Sequence, residues 1–172
     1  MKIALIPGSF DPITLGHVNI IERAARMFDK VYVAVMINDS AKYDKSLSSK
    51  QYMFAMEERV EIARLSVSHI ENACVIARTG MLIDLFDELS ATAIVKGIRN
   101  AADLEYEMIH ARWNKEHNDR AETLFLPADE SLTAVSSTEV RKCLESGELD
   151  RLEGVLAAKA LEYIKNKLQN NK

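Results

Sequence analysis

The residues best suited to chemistry lie in one segment near the start of the chain. Ser9, Thr14, Gly16 and His17 follow a short apolar run and precede a segment of helical periodicity. Thr14 can cap that helix, which would place Gly16 and His17 in its first turn, where free N–H groups and the helix dipole favour an anion. Because a cation is disfavoured there, the histidine indicates either an anion site or a strand–turn–helix corner with an incidental imidazole.

A second helix start carries a cluster of hydroxyl groups, in the segment VSSTEVR at 135–141. Ser136 and Glu139 have the spacing of a capping box, which explains both residues without any ligand. Ser137 and Thr138 add hydroxyls that capping does not require, and a helix N-terminus is a favourable phosphate site. The segment therefore predicts helix capping combined with phosphate binding.

Two cations flank a glycine at the end of another apolar run. Lys96, Gly97 and Arg99 would lie at the carboxyl edge of a strand, where a pair of cations suits a polyphosphate. The alternative is an exposed loop with ordinary surface charge. The chain contains neither G-x-G-x-x-G nor the P-loop pattern, so a nucleotide would have to be bound by another design.

The other histidines and the cysteines are weak candidates. His69, His110 and His117 lack Cys, Asp or Glu partners at ligand spacing, so no metal held by protein side chains is expected. Cys74 and Cys143 form no Cys-x-x-Cys pair, and both are expected to be core residues. Two unlinked cysteines favour a reducing cytoplasm.

The elements that must position these groups follow an alternating order. This order, with near-continuous apolar runs typical of strands covered on both faces, predicts a single doubly wound, Rossmann-like α/β domain over 1–172, with a five-stranded parallel sheet and C-terminal helices. A polar stretch at 39–52 predicts an enlarged loop after the second strand. The predicted strands are 2–6, 31–35, 73–77, 93–96 and 123–126, and the predicted helices are 16–28, 56–69, 80–90, 102–117, 138–146 and 149–168.

The composition excludes several classes of protein. The chain has 172 residues, of which 48% are hydrophobic and 28% charged, as in a soluble globular domain. A net charge of −4 argues against binding to nucleic acid through bulk positive charge. No apolar run approaches the roughly 20 residues that a membrane span needs, so neither nucleic acid nor membrane is expected as a partner.

Three segments resemble the signatures of a known enzyme superfamily. GSFDPITLGH at 8–17 resembles the N-terminal signature of the T/H-x-G-H nucleotidyltransferases, and VSSTEVR resembles their I-S-S-T-x-x-R signature. KGIRNAADLEYE at 96–107 is similar to the R-G-L-R-x-x-x-D-F-E-Y-E block of phosphopantetheine adenylyltransferases. The resemblance covers nearly the whole chain, and the middle block separates this family from cytidylyltransferase and nicotinamide-mononucleotide relatives.

The resemblance implies a reaction. ATP and 4′-phosphopantetheine would give 3′-dephospho-CoA and pyrophosphate in coenzyme A biosynthesis, with Mg²⁺ accompanying ATP. The acceptor phosphate is already an anion near neutral pH, so positioning and charge neutralisation would supply most of the rate and no strong general base is needed. The family also implies a homohexamer in the cytoplasm, with coenzyme A as a feedback ligand.

Roles for individual residues follow from the same resemblance. His17 would stabilise the transition state at the α-phosphate, and Ser9 would contact the nucleophilic phosphate with Phe10 beside the nucleotide. Leu82 would line the pantetheine arm, and Lys96 would bind the substrate. The residues implied to bind ATP are Ser9, Phe10, His17, Gly97, Ile98, Arg99, Glu107, Leu132, Thr133, Ala134, Val135, Ser136, Ser137 and Thr138.

Two positions depart from the family pattern. Lys96 stands where the family usually has arginine, which keeps the charge but loses the bidentate fork. The family's substrate-binding lysine lies in the loop that is enlarged here; Lys42 is the predicted equivalent, with Lys45 as the alternative. These departures favour a second hypothesis, a nucleotide-sensing domain without catalysis, whereas the intact segment around His17 disfavours it.

Overall fold

The computed structural model describes residues 1–37 and 51–170. Most of the polar stretch predicted as a loop at 39–52, including Lys42 and Lys45, lies outside the described residues. The strands are β1 (Ile3–Gly8), β2 (Lys30–Met36), β3 (Ala73–Arg78), β4 (Ala93–Ile98) and β5 (Thr123–Pro127). The α-helices are α1 (Leu15–Met27), α2 (Met56–Val67), α3 (Leu82–Glu88), α4 (Ala101–His117), α5 (Ser137–Ser146) and α6 (Ala158–Asn170).

The described strands form one parallel sheet in the order β3-β2-β1-β4-β5. The predicted fold class, a Rossmann-like α/β domain with a five-stranded parallel sheet, is therefore confirmed. Strand order reverses between β1 and β4, which is where ligands bind in sheets of this kind. The ladder between these strands pairs Ala4 with Ala93 and Leu5 with Ile94, and both strands continue beyond it toward their carboxyl ends.

Alternate residues of the central strands pack on opposite faces of the sheet, as the period of a strand requires. Ala4 and Ile6 of β1 join the larger apolar cluster, which also contains residues of α1, α2, α5 and α6. Ile3 and Leu5 join a smaller cluster with residues of α3. Helices thus cover both faces of the sheet, and its carboxyl edge is left for the loops that follow β1 and β4.

The prediction of one continuous helix over 149–168 is wrong. The chain forms a short 3₁₀ turn at Leu149–Leu152, and α6 begins only at Ala158. Gly154 between them has a left-handed backbone (φ +75°), which interrupts a helix. The intervening Val155 carbonyl accepts a hydrogen bond from Leu15 N–H (2.9 Å), so this segment supports the start of α1. The apolar residues of this segment have helix-like spacing because the 3₁₀ turn and α6 both bury side chains in the larger apolar cluster.

Within residues 1–37 and 51–170, no helix combines the length and the apolar character that a bilayer crossing requires.

Candidate active site

Two segments after neighbouring strands form the candidate site. We call residues 9–17, which join β1 to α1, the β1 corner, and residues 96–107, which join β4 to the first part of α4, the β4 corner. They flank the point where strand order reverses. A third segment, 132–138, leads into α5 and packs against the β1 corner: a Cβ placed on Gly16 would lie 3.7 Å from the Leu132 carbonyl oxygen and 3.8 Å from that of Val135.

His17 is held by the start of its own helix. Thr14 is the N-cap of α1, and its backbone N–H donates to His17 Nδ1 (3.1 Å), while its hydroxyl oxygen lies 2.9 Å from the same nitrogen. A nitrogen that accepts an N–H cannot carry a proton itself, so these bonds assign the ring proton to Nε2. The histidine therefore replaces the usual capping-box glutamate, and its second nitrogen is a hydrogen-bond donor.

The electrostatic surroundings keep this imidazole neutral. Burial lowers the pKa of His17 from 6.5 to about 4, and the positive charges of Arg99 and then Lys96 act in the same direction. A cation would be unfavourable at the N-terminus of α1, but this ring is uncharged at neutral pH and carries no such cost. Arg99 and Lys96, the two cations of the β4 corner, therefore lie close enough to His17 to influence its pKa.

Phe10 supports the ring of His17 from the side. The two rings meet edge to face with their centroids 5.3 Å apart, and Phe10 is buried in the larger apolar cluster. The Phe10 ring also lies against the backbone of Gly8, where an added Cβ would be 2.7 Å from Phe10 Cζ. Glycine is therefore required at the end of β1 by packing, and Phe10 supports both the end of β1 and the ring of His17.

The hydroxyl cluster at the start of α5 divides its tasks. Ser136 is the N-cap and accepts from Glu139 N–H (3.2 Å), as predicted, but the Glu139 carboxylate pairs with Lys142 (2.8 Å) in place of the reciprocal capping bond. Ser137 donates its hydroxyl to the Pro12 carbonyl (2.8 Å) and so joins α5 to the β1 corner. Both helix starts, of α1 and α5, therefore meet at the same loop.

The cations of the β4 corner are paired with acids on α4. Lys96 Nζ lies 3.2 Å from a carboxylate oxygen of Glu107, and Arg99 binds Asp103 through Nε (2.8 Å) and Nη2 (3.2 Å). The side-chain bond from Arg99 lowers the pKa of the Asp103 carboxyl. Gly97 between them has a packing reason as well, since an added Cβ would lie 2.8 Å from Cγ1 of Ile20 on α1.

The remaining predicted residues lie around this centre. Thr133 and Ala134 are exposed beside the start of α5, and Thr133 donates its hydroxyl to the Glu130 carbonyl (2.8 Å). Leu82 begins α3 and packs, half-buried, against the smaller apolar cluster. Among residues 1–37 and 51–170, no group of three or more His, Cys, Asp or Glu side chains could hold a metal ion. The individual ligand roles stay predictions.

Two buried charged residues of the β1 corner and its surroundings were not singled out by the sequence. Asp11 and Arg59 are each 1% exposed. Asp11 lies inside the GSFDPITLGH segment, so its place in the motif was a usable signal. Arg59 follows two glutamates on a helix with mixed charge, a pattern typical of a solvated helix face, and it gave no sign of burial.

Comparison with known proteins gives the class and then the family. Residues 5–143 match the family model described as Cytidylyltransferase-like, and the chain is a nucleotidyltransferase. A phosphopantetheine adenylyltransferase of Shouchella clausii (strain KSM-K16) is 38% identical over 165 residues, covering 95% of this chain and 98% of the relative. One from Actinobacillus succinogenes is 41% identical over 152 residues, covering 88% and 89%. The chain belongs to the phosphopantetheine adenylyltransferase family, and the predicted family membership is confirmed.

Solved structures support the fold. A crystal structure assigned as a nicotinate-nucleotide adenylyltransferase from Vibrio parahaemolyticus has a TM-score of 0.69 at 18% identity, covering 95% of this chain and 98% of that one. A lipopolysaccharide core biosynthesis protein from Thermoplasma volcanium GSS1 has a TM-score of 0.50 at 17% identity, covering 75% and 97%. At these identities the likeness concerns the fold alone.

Proposed function

We propose that this protein transfers the adenylyl group of ATP to 4′-phosphopantetheine, giving 3′-dephospho-CoA and pyrophosphate, with His17 at the centre of the reaction. Relatives that carry the name of this activity match nearly the full chain. The observation that carries the mechanism is the neutral His17, whose Nδ1 is occupied by Thr14 and whose Nε2 is left as a donor.

The chemistry needs a donor at the α-phosphate more than it needs a base. The acceptor phosphate attacks the α-phosphorus in line, a P–O bond forms, and the bond to the pyrophosphate oxygen breaks. Negative charge spreads over the α-phosphate oxygens during this step, and a preorganised N–H stabilises it without reorganisation. A ring with a pKa near 4 keeps that role over the whole neutral range.

The other groups would divide the two substrates between them. Arg99, with the backbone of Gly97 and Ile98, and the hydroxyl segment before α5 would hold the triphosphate, while Ser9 and Lys96 would hold the acceptor phosphate. Both cations are paired with carboxylates in the structure, so phosphate oxygens would compete with Glu107 and Asp103 for them. Charge-assisted hydrogen bonds from lysine and arginine to phosphate oxygens are strong enough to compete with such ion pairs.

Magnesium would enter with ATP. The donors gathered here are N–H groups, hydroxyls and cations, a set that suits phosphate oxygens and not a bare divalent ion. Mg²⁺ bound to the triphosphate would neutralise charge on the leaving group. His17, Arg99 and the α5 start would then orient the nucleotide from the protein side.

An acceptor panel tests the proposal. Purified protein is expected to release pyrophosphate only when ATP, Mg²⁺ and 4′-phosphopantetheine are present together. Release with nicotinate mononucleotide, nicotinamide mononucleotide or glycerol 3-phosphate, and none with 4′-phosphopantetheine, would move the activity to a sister enzyme. A single-turnover assay with labelled ATP separates catalysis from nucleotide sensing, because a sensor would bind ATP and form no adenylylated product.

Assembly into a homohexamer, with coenzyme A as a feedback ligand in the cytoplasm, completes the proposal. Helix α4 exposes several large apolar side chains, an arrangement that is typical of a surface covered by another copy. Light scattering would measure the assembly, and inhibition of pyrophosphate release by added coenzyme A would measure the feedback. The free cysteines Cys74 and Cys143 are compatible with a reducing compartment. The exposed apolar residues of α4 are Leu104, Tyr106, Ile109 and Trp113.

A further inference from the structure

Arg59 is a buried charge that the proposed mechanism does not use. It lies on α2, is 1% exposed, and its Nη1 donates to the Ser9 carbonyl (2.7 Å) and, more weakly, to the Met36 carbonyl (3.4 Å). Its guanidinium carbon lies 4.1 Å from the centroid of the Tyr52 ring. Burying a guanidinium costs free energy, and an apolar side chain could fill the same space without that cost. Packing alone therefore does not explain an arginine at this position.

Asp11 completes a clamp on the other side of the same turn. Its buried carboxylate accepts Met53 N–H and Phe54 N–H (2.9 Å each), just before α2. Burial lowers the pKa of the Arg59 guanidinium, and the negative charge of Asp11 partly opposes this effect. Asp11 thus links the β1 corner to the residues just before α2, and Arg59 links α2 to the β1 corner.

The backbone of the turn at Phe10, between Ser9 and Asp11, is strained. Phe10 has φ +43°, a left-handed conformation that residues with a side chain rarely adopt. Such a conformation persists only where the surroundings fix it. Here the carbonyl before Phe10 is held by Arg59 (2.7 Å) and the carbonyl of Asp11 after it is held by Arg141 (2.7 Å), so clamps on both sides hold the unfavourable backbone.

We propose that Arg59 and Asp11 are positioning residues for the acceptor phosphate: by holding the strained turn they fix Ser9, and Ser9 contacts that phosphate. This inference rests on the proposed function. Neither side chain is exposed enough to touch a substrate, so both act through the backbone of Ser9 and Phe10. Release of the turn would misplace Ser9, whereas the groups proposed to hold the triphosphate keep contacts of their own: Arg99 with Asp103 on α4, and Ser136 with the start of α5.

The test separates the two substrates. In Arg59→Met, which keeps an unbranched apolar stem and removes the charge and the donors, we expect the KM for 4′-phosphopantetheine to rise about tenfold and kcat to fall about tenfold, with the KM for ATP within about twofold of wild type. Arg59→Lys restores the charge and one donor and is expected to recover about half of the loss on a logarithmic scale. Arg64→Met, an exposed arginine on the same helix, is the matched control and should be neutral.

Several outcomes would overturn the inference. An acceptor KM that stays at the wild-type value in Arg59→Met, or equal increases in the KM of both substrates, contradicts a role on the acceptor side. Where Arg59→Met fails to fold by circular dichroism, Arg59→Lys and Asp11→Asn carry the test, since each keeps the size of its side chain. A rise in acceptor KM of about threefold or more in both supports the clamp, and unchanged values contradict it.

Failure of the proposed function is distinguishable from failure of the clamp. A wild-type protein that turns over only with another phosphorylated acceptor contradicts the proposed substrate. The same variants are then assayed with that acceptor, because Ser9 would hold its phosphate in the same way. A selective rise in the KM of that acceptor still supports the clamp, whereas unselective changes overturn it.

Discussion

The β1 corner and the β4 corner hold their functional groups by different means. In the β1 corner the groups proposed to act on the substrates are fixed by hydrogen bonds and packing: Thr14 hydrogen-bonds to His17, Arg59 hydrogen-bonds to the Ser9 carbonyl, and Phe10 packs against both Gly8 and His17. In the β4 corner Lys96 and Arg99 are held by carboxylates of Glu107 and Asp103 that lie on the following helix.

The difference matches the demands of the two tasks. Groups that act on the transition state gain from being rigid before the substrate arrives, since no reorganisation is then required during the reaction. Groups that bind a polyphosphate gain from having a partner that can be exchanged, since unpaired cations would repel each other. On the proposed function, the β1 corner would serve the chemical step and the acceptor phosphate, and the β4 corner would serve mainly ATP binding, so substitutions in the two should separate kcat from the KM for ATP.

The largest expected effect is in the β1 corner. His17→Ala removes the Nε2 donor and should lower kcat by about 100- to 1,000-fold, the cost of losing one preorganised donor at a developing negative charge. The KM for ATP should change by no more than a few-fold, because the β4 corner is intact. His69→Ala, an exposed histidine paired with Glu22, is the control and should retain wild-type kinetics. A loss of ATP affinity that matches the loss of rate would contradict the division between the corners.

The matching substitution in the β4 corner is Arg99→Met. It removes a charged donor and should raise the KM for ATP about tenfold or more, with a smaller change in kcat, because a hydrogen bond to a charged group contributes about 1.5–3 kcal/mol. Steady-state kinetics with varied ATP measures this. Arg151→Met, an exposed arginine paired with Glu148, controls for the loss of a surface cation. A fall in kcat as large as that of His17→Ala would place Arg99 in the chemical step.

The pH dependence tests the neutral imidazole. Because the pKa of His17 is lowered from 6.5 to about 4 in the fold, the unfolded chain binds a proton between these pH values and the folded chain does not. Stability from this group is therefore complete above pH 6.5 and is lost as the pH falls toward 4, by at most about 2 kcal/mol at pH 5.

Chemical denaturation of wild type and His17→Gln at pH 7 and pH 5 measures that loss. The wild type should lose more free energy of unfolding than the variant over this interval. An equal loss in the two proteins would indicate that His17 titrates normally and would remove the argument for a neutral donor.

Much of the fold could be predicted from the sequence because its signals are local. Near-continuous apolar runs identify buried parallel strands, and the spacing of the β1 corner identifies the helix start at Thr14. The strands were placed within a few residues, and the family signatures lie on the corners that the topology brings together. The 149–168 segment was misassigned because apolar spacing does not distinguish one helix from a turn and a helix that bury side chains in the same core.

The partners of individual side chains could not be predicted, because they are contacts between elements distant in the sequence. Arg59 hydrogen-bonds to the carbonyl of Ser9, which is 50 positions away in the sequence, and Ser137 hydrogen-bonds to the carbonyl of Pro12, which is 125 positions away. No pattern near Arg59 marks it as buried. Likewise, the capping role of His17 could be suspected from its position, whereas its depressed pKa depends on Arg99 and Lys96, which only the fold brings near.

The smallest expected effect concerns Lys96, one of the two positions at which the sequence resemblance predicts a departure from the family pattern. Lys96 Nζ lies 3.2 and 3.3 Å from the two carboxylate oxygens of Glu107, so a single ammonium serves both oxygens and has limited capacity for a substrate. Lys96→Arg would let a planar fork keep the carboxylate and present further N–H groups to the acceptor phosphate. The KM for 4′-phosphopantetheine should fall by about two- to fivefold, with the KM for ATP unchanged.

Lys96→Met is the companion variant, since loss of the charge should raise the same KM about tenfold. If neither substitution moves the acceptor KM, Lys96 serves only to hold Glu107, and the acceptor phosphate is bound by the β1 corner without help from β4. In that case the two corners would differ in the substrate they bind as well as in how they are held, and the clamp formed by Arg59 and Asp11 would carry more of the acceptor's affinity.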